Sequence, residues 1–253
     1  MDTQAILLPG GVLPGSLAYP DLVTELGPDI DARPKELEIY AGDDVPEAWG
    51  LDSEVDGIER FAADAGFDRF HVVGYSAGGA CALAYCAAHP DRVLSLTLNE
   101  PAWGGNDGWT DDERANWRRI DEIMTLPPDE MLPAFMRNYL RDGVEPPPAP
   151  DGPPPPWFAK RPAGLRALTA AFKAYDLDVE ALRTFHGPVL YAIGAKTNPV
   201  AVEPLAERLG TVFRNFTREI YEDRHHFDPP HRAEPARVAA SLRRLWQCTA
   251  AVD

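Results

Sequence analysis

The sequence predicts an α/β protein: a mostly parallel sheet of about six strands with helices on both faces and a helical cap insertion. Three observations carry that expectation. Short apolar runs alternate with amphipathic stretches near both ends of the chain. The alternation breaks between about residues 102 and 186, where no convincing strand pattern occurs. A chain of 253 residues, 45% of them apolar, is long enough to bury a substantial core.

The elements follow in order. Residues 4–8 (QAILL) form an apolar run ending at Pro9-Gly10-Gly11, which reads as a buried strand stopped by a glycine turn. Residues 17–26 are helix-like and 37–40 strand-like. In 52–65, Val55, Ile58, Phe61 and Ala62 recur at helical spacing. Residues 69–75 (RFHVVGY) read as a strand, 77–88 as a helix of small residues ending before Pro90, and 93–98 (VLSLTL) as another strand. Thr110-x-x-Glu113 has the form of a capping box opening a helix to about residue 126. Met131, Leu132, Phe135, Met136, Tyr139 and Leu140 mark an amphipathic helix after Pro127-Pro128, and Leu165, Leu168, Phe172 and Tyr175 another. Between them, residues 146–156 hold eight prolines, which predicts an extended, semi-rigid loop. Strand, helix, strand and helix resume at 188–193, 204–209, 217–221 and 235–246. Residues 1–101 with 187–253 therefore read as one core, and 102–186 as a cap over the carboxyl edge of its sheet.

Charge narrows the function classes. Lys plus Arg number 24 against 40 Asp plus Glu, a formal charge of −16. An acidic surface cannot replace counterions on phosphates or dock on an anionic membrane, so neither nucleic acid nor a membrane is an expected partner. The start of the chain lacks the basic segment and apolar run of a secretion signal, and Cys81, Cys86 and Cys248 are too few and odd in number for a disulfide framework. A cytoplasmic location with free thiols is expected, and the sequon at Asn215 is read as a coincidence. Cys81 and Cys86 read as small core residues. No Cys/His cluster has zinc spacing and no glycine loop resembles a phosphate cradle, so no metal is expected.

One motif carries chemistry. Gly74-Tyr75-Ser76-Ala77-Gly78, followed by Gly79, fits G-x-S-x-G between an apolar strand and a helix. A serine there sits on a turn so tight that strand and helix nearly collide, which is why glycines flank it. Its hydroxyl projects at a helix N-terminus, where free N–H groups favour developing negative charge. The bland alternative is a Gly/Ser-rich turn that only packs.

With these residues the chain resembles the α/β-hydrolase fold superfamily along nearly its whole length. The resemblance implies a nucleophile at Ser76 and an oxyanion hole made by the amide of Ala77 with one from residues 8–12, Gly11, or Val12 if that loop is shifted by one. Many relatives carry His-Gly where this chain has Pro9-Gly10. Two strands that usually precede this loop have no room here, hence the trimmed sheet. The general base belongs between the last strand and last helix, in Glu222-Asp223-Arg224-His225-His226-Phe227-Asp228. Aligned on the common Gly-His-Phe pattern, His226 takes the catalytic slot and His225 replaces the glycine; a one-residue shift would swap them. His71 lies inside a strand, His89 closes a helix and His186 ends the cap; His231 is a third possibility for the base and otherwise reads as solvent-side or cap-contacting.

The acid departs from the pattern. Relatives place it three or four residues past a glycine ending the penultimate strand, here Gly194, but Ala195, Lys196, Thr197 and Asn198 include no carboxylate. Asn198 offers only an uncharged hydrogen bond. A known variation moves the acid to the end of the strand after the elbow helix, where Glu100 stands. Asp176, Asp178, Asp223 and Asp228 are weaker candidates. Val12, Leu13 and Tyr75 are expected to border the nucleophile as substrate-binding residues. Trp103, Trp109, Trp117, Met124, Phe135, Met136 and Trp157 make the cap apolar, some lining a pocket.

The resemblance thus implies a serine hydrolase acting on an ester, thioester or lactone of an apolar small molecule, without a cofactor. Other readings stay open: a lyase, cyclase or acyltransferase on the same scaffold, a small-molecule receptor, or an interaction module using the proline loop.

Overall fold

The computed structural model describes residues 3–42, 44–148 and 152–249. Its centre is a six-stranded sheet: β1 (Thr3–Leu8), β2 (Ile30–Pro34), β3 (Phe70–Tyr75), β4 (Val93–Asn99), β5 (Val189–Gly194) and β6 (Phe216–Tyr221), in the order β2-β1-β3-β4-β5-β6. Every neighbouring pair is parallel. Parallel strands need crossovers, and the helices that make them cover both faces. Alternation along β1 divides the core: Ile6 and Leu8 join one apolar cluster, Ala5 and Leu7 the other.

The helices are α1 (Gly15–Ala18), α2 (Pro20–Leu26), α3 (Leu51–Ala65), α4 (Ala77–Ala88), α5 (Asp111–Met124), α6 (Pro128–Asn138), α7 (Arg161–Ala174), α8 (Val179–Arg183), α9 (Pro199–Val212), α10 (Pro230–Ala233) and α11 (Pro235–Gln247). Helices α3, α4 and α9 supply the first cluster, and α2 and α11 the second. Helix α4 is buried at every position from Ala77 to Cys86, which its small residues permit. Between β4 and β5 the described residues form helices and no strand, as expected. The capping box forms as read: Glu113 N–H donates to Thr110 Oγ1 at 3.1 Å, and Thr110 N–H to Glu113 Oε2 at 2.9 Å. None of the described helices is long and apolar enough to cross a membrane.

Three expectations need correction. Residues 37–40 are no strand; Glu38–Tyr40 is a 3₁₀ turn, and the edge strand is Ile30–Pro34. The buried carboxylate of Glu54 explains this, since its two oxygens accept the N–H groups of Glu38 and Ile39 at 2.9 Å each and leave nothing to pair with a sheet. Residues 17–26 are two helices broken at Tyr19, because Pro20 disfavours helical geometry in the residue before it. The short helices Val179–Arg183 and Pro230–Ala233 were not foreseen. Of the predicted proline loop, residues 149–151 lie outside the described residues; 144–148 have no regular structure and Pro156–Phe158 is a 3₁₀ turn.

Candidate functional site

Ser76 stands between β3 and α4 with φ 52°, a left-handed conformation for a residue with a Cβ. The crowding that forces it is measurable. A Cβ on Gly74 would lie 2.5 Å from Gly78 O, and one on Gly78 would lie 2.4 Å from Leu8 O. Backbone bonds hold the turn: Ser76 N–H donates to Asn99 O at 3.1 Å, and Ser76 O accepts from Ala102 N–H at 2.9 Å. Both partners belong to the chain around Glu100, which has the other positive φ among described non-glycine residues, 44°. Nucleophile candidate and acid candidate thus sit on adjacent strand ends, braced to each other.

His226 joins them. Its Nε2 lies 3.0 Å from Ser76 Oγ and its Nδ1 2.8 Å from Glu100 Oε2. A carboxylate only accepts, so Nδ1 carries the proton, and the Nε2 lone pair faces the serine hydroxyl. The other carboxylate oxygen, Oε1, accepts from Gly194 N–H and from Thr197 Oγ1, both at 2.7 Å. His226 and Glu100 are almost wholly buried. The imidazole is ringed by Tyr139, Phe227 and Tyr75, with centroids 4.5, 5.1 and 5.2 Å away. Tyr75 also donates its hydroxyl to the backbone carbonyl of His226.

His225 serves its own loop: its Nδ1 accepts from Phe227 N–H at 3.2 Å and Asp228 N–H at 3.1 Å. The other carboxylates considered lie elsewhere, Asp176 on the exposed surface. Asp178 caps α8, Asp223 pairs with Lys196 at 3.2 Å, and Asp228 with Arg224 at 2.6 Å. Asn198 caps α9 rather than touching a histidine. Thr197, with the Gly194 amide, is the part of the site the sequence reading missed. The loop that lacks a carboxylate instead supplies two donors to one, and only the distance between β4 and β5 reveals it.

His231 corrects the expectation of a solvent-side residue. It is buried beneath the site, its Nδ1 3.0 Å from Asn99 Nδ2, with its ring 4.8 Å from Tyr19 and 4.9 Å from Tyr75. Burial first, then the charges of Arg232 and His226, push its pKa down to about 3. His71, stacked on Trp246, is likewise pushed down by burial to about 3. Both groups bind a proton near pH 6.5 when unfolded but not when folded, so stability is full above that pH and declines as pH falls toward 3. The expected slope is up to about 1.4 kcal/mol per pH unit for each histidine. Urea unfolding between pH 7 and pH 4 measures it, and a flat profile would contradict the assignment.

Ser76 opens into a cavity of about 40 Å³ lined by Gly10, Gly11, Val12, Tyr75, Ala77 and the aromatic and aliphatic side chains of α5, α6 and α7, among them Trp117, Phe135 and Leu165. Apart from His226 it has no ionisable side chain but tyrosines. Leu13 is not on its wall; it packs against the cluster around Tyr19 and Leu22 on the opposite face of the sheet. Of the large residues expected to form a pocket, Trp117 and Phe135 line this one, while Trp103 and Trp109 border a smaller neighbouring cavity. The N–H groups of Gly11 and Ala77 donate to no acceptor among the described residues.

Known proteins agree with this architecture. A 103-residue stretch is 33% identical to the lipase LipV of Mycobacterium tuberculosis, covering 39% of this chain and 37% of that protein. A 126-residue stretch is 28% identical to a proline iminopeptidase of Heyndrickxia coagulans, covering 47% of this chain and 41% of that one. The chain thus spans well under two thirds of either relative. Among solved structures, an esterase from Thermogutta terrifontis superposes with a TM-score of 0.73 at 15% identity, covering 98% of this chain and 90% of that one. An esterase from Exiguobacterium antarcticum gives 0.72 at 16% identity, covering 97% and 92%. A family model described as the alpha/beta hydrolase fold matches residues 27–227. That match takes in the greater part of the sequence, and with the sheet described above it shows that the chain belongs to the α/β hydrolase fold family.

Proposed function

We propose that the chain is a serine hydrolase that cleaves an ester, thioester or lactone of a neutral, apolar small molecule through an acyl-enzyme. The observation that carries this reading is the unbroken run of hydrogen bonds from Ser76 Oγ through His226 to Glu100, ending in an apolar cavity. In it, Ser76 attacks the carbonyl while His226 Nε2 takes its proton, and Glu100 holds the tautomer and stabilises the imidazolium. The oxyanion forms against the amides of Ala77 and Gly11, which are left without acceptors. His226 returns the proton to the leaving group, and water repeats the sequence on the acyl-enzyme. Val12 and Tyr75 border the nucleophile and would contact substrate; residues 102–186 act as the cap. The lipase and esterases to which the chain is similar act on the same class of bond.

The wall composition sets the expected preference. A carboxylate buried there would have no cationic partner, and leaving such a charge unpaired costs several kcal/mol. The p-nitrophenyl ester of butyrate should therefore be hydrolysed with a kcat/KM at least about 10²-fold above that of the half-ester of succinate. Preference for the anionic acyl group, or no hydrolysis of any neutral ester, would overturn the reading.

A further inference from the structure

Beyond the three residues that run from serine to carboxylate, the structure assigns a positioning role to Tyr40. We infer that its hydroxyl fixes the Gly10-Gly11-Val12 backbone, so that the loop presents its amide to the oxyanion; the inference rests on the function proposed above.

The need for such a tie comes from the sequence. Two successive glycines give the loop wide conformational freedom, whereas an oxyanion donor works only when held in place before the charge develops. Space is tight at both: a Cβ at Gly10 would lie 2.8 Å from the Tyr75 ring and 3.3 Å from Ser76 Cβ, and one at Gly11 2.8 Å from the tip of Leu165. With no side chain of its own at either position, the loop relies on outside groups to hold it.

Tyr40 does so. Its hydroxyl donates to Gly11 O at 2.7 Å, and this is the one side-chain hydrogen bond to residues 9–13 among the described residues. The Gly11 carbonyl lies in the rigid, trans peptide plane shared with the Val12 N–H, so pinning its oxygen fixes that plane and, through the ψ angle of Gly11, steadies the residue whose own N–H is the proposed donor. Burial raises the Tyr40 hydroxyl's pKa, which keeps it a donor.

The tyrosine is in turn gripped from α7 and the residue before it. The Arg161 guanidinium lies 3.8 Å from the centroid of its ring and is itself almost wholly buried. Lys160 Nζ donates to the carbonyls of Tyr40 and Gly42 at 2.6 and 2.5 Å. Helix α7 approaches so closely that a Cβ at Gly164 would lie 2.1 Å from Tyr40 Cε1. The same helix carries Leu165 and Leu168, which line the cavity. One side of α7 thus meets substrate while its first turn sets the group that aims the oxyanion donor.

The test is Tyr40→Phe, which keeps the ring between Arg161 and Gly164 and removes only the hydroxyl. Complete loss of one oxyanion donor lowers rate by roughly 10²–10³, so a donor merely loosened should lower kcat by about 10–10²-fold with KM within about threefold. An alkyl trifluoromethyl ketone, which adds to the serine and places an oxyanion in the same hole, should bind more weakly by a matching factor. A tyrosine that only supports the fold would lower the amount of folded enzyme and leave the kcat and inhibitor affinity of the folded remainder unchanged, and that result would overturn the assignment. The wild-type protein separates the two levels. Failure of wild type to bind the ketone would remove the hydrolase reading and the tyrosine's role with it. Binding by wild type that is undiminished in Tyr40→Phe would remove only the latter.

Discussion

Replacing Ser76 with alanine should abolish covalent labelling by a fluorophosphonate probe and lower kcat by about 10⁴–10⁶-fold. The size follows from the role: without the hydroxyl no acyl-enzyme forms, and what survives is the binding energy and the oxyanion donors. Labelling detected by in-gel fluorescence and turnover of p-nitrophenyl butyrate give two independent readouts. Retained turnover in Ser76→Ala would point to a non-hydrolytic or water-direct mechanism on the same scaffold. Stability provides an internal control. Ser76 has φ 52°, strain of the order of 1–3 kcal/mol for a residue with a Cβ. Ser76→Gly relieves part of it and should be equally inactive yet unfold at higher denaturant than Ser76→Ala. Inactivity in the more stable variant cannot be ascribed to misfolding.

The second large effect is expected at Glu100. In Glu100→Gln the side chain keeps its shape, but its two ends cease to be equivalent. Gly194 N–H and Thr197 Oγ1 both donate to Oε1 at 2.7 Å, so the amide oxygen settles there and the NH₂ faces His226 Nδ1. A donor against Nδ1 draws out the opposite tautomer, with the proton on Nε2 and nothing left to accept from Ser76. A change of this kind in a serine protease triad lowers kcat by about 10⁴-fold, and a similar loss is expected here. Asp223→Asn, whose side chain is exposed and paired with Lys196, should leave kcat unaltered. Steady-state kinetics on both variants decides the matter, and the reverse pattern would move the acid to Asp223.

Legibility in the sequence followed how local each signal was. Helix α4 was readable to the residue because its small side chains and the following Pro90 are local facts. The edge strand was misplaced because what decides it is remote: Glu54, sixteen residues beyond Glu38, takes the amides that a strand would need. The elbow at Ser76 was visible from five consecutive residues. His226 over His225 rested on a pattern that a one-residue shift would have reversed; the structure places His226 between Ser76 and Glu100, and turns His225 toward its own backbone. Thr197 carried no sequence signal, since a threonine is legible as a carboxylate's partner only once two strand ends are known to be neighbours. Leu13 was expected to border the nucleophile but does not line the cavity beside it, because a loop has no periodicity from which its direction can be read.

The small volume beside Ser76 bears on the fate of the acyl intermediate. A cavity of about 40 Å³ has room for about three water molecules, so on the proposed mechanism the hydrolytic water competes for space with the departing alcohol. Such confinement makes deacylation sensitive to who arrives next. A small alcohol that enters with its oxygen toward His226 would intercept the acyl group in place of water, and the ratio of transfer to hydrolysis would report how dry the chamber is kept. Nucleophiles bulkier than the departing alcohol would be disfavoured by size before reactivity. Product partitioning would therefore be governed by the dimensions of the chamber before it is governed by chemistry.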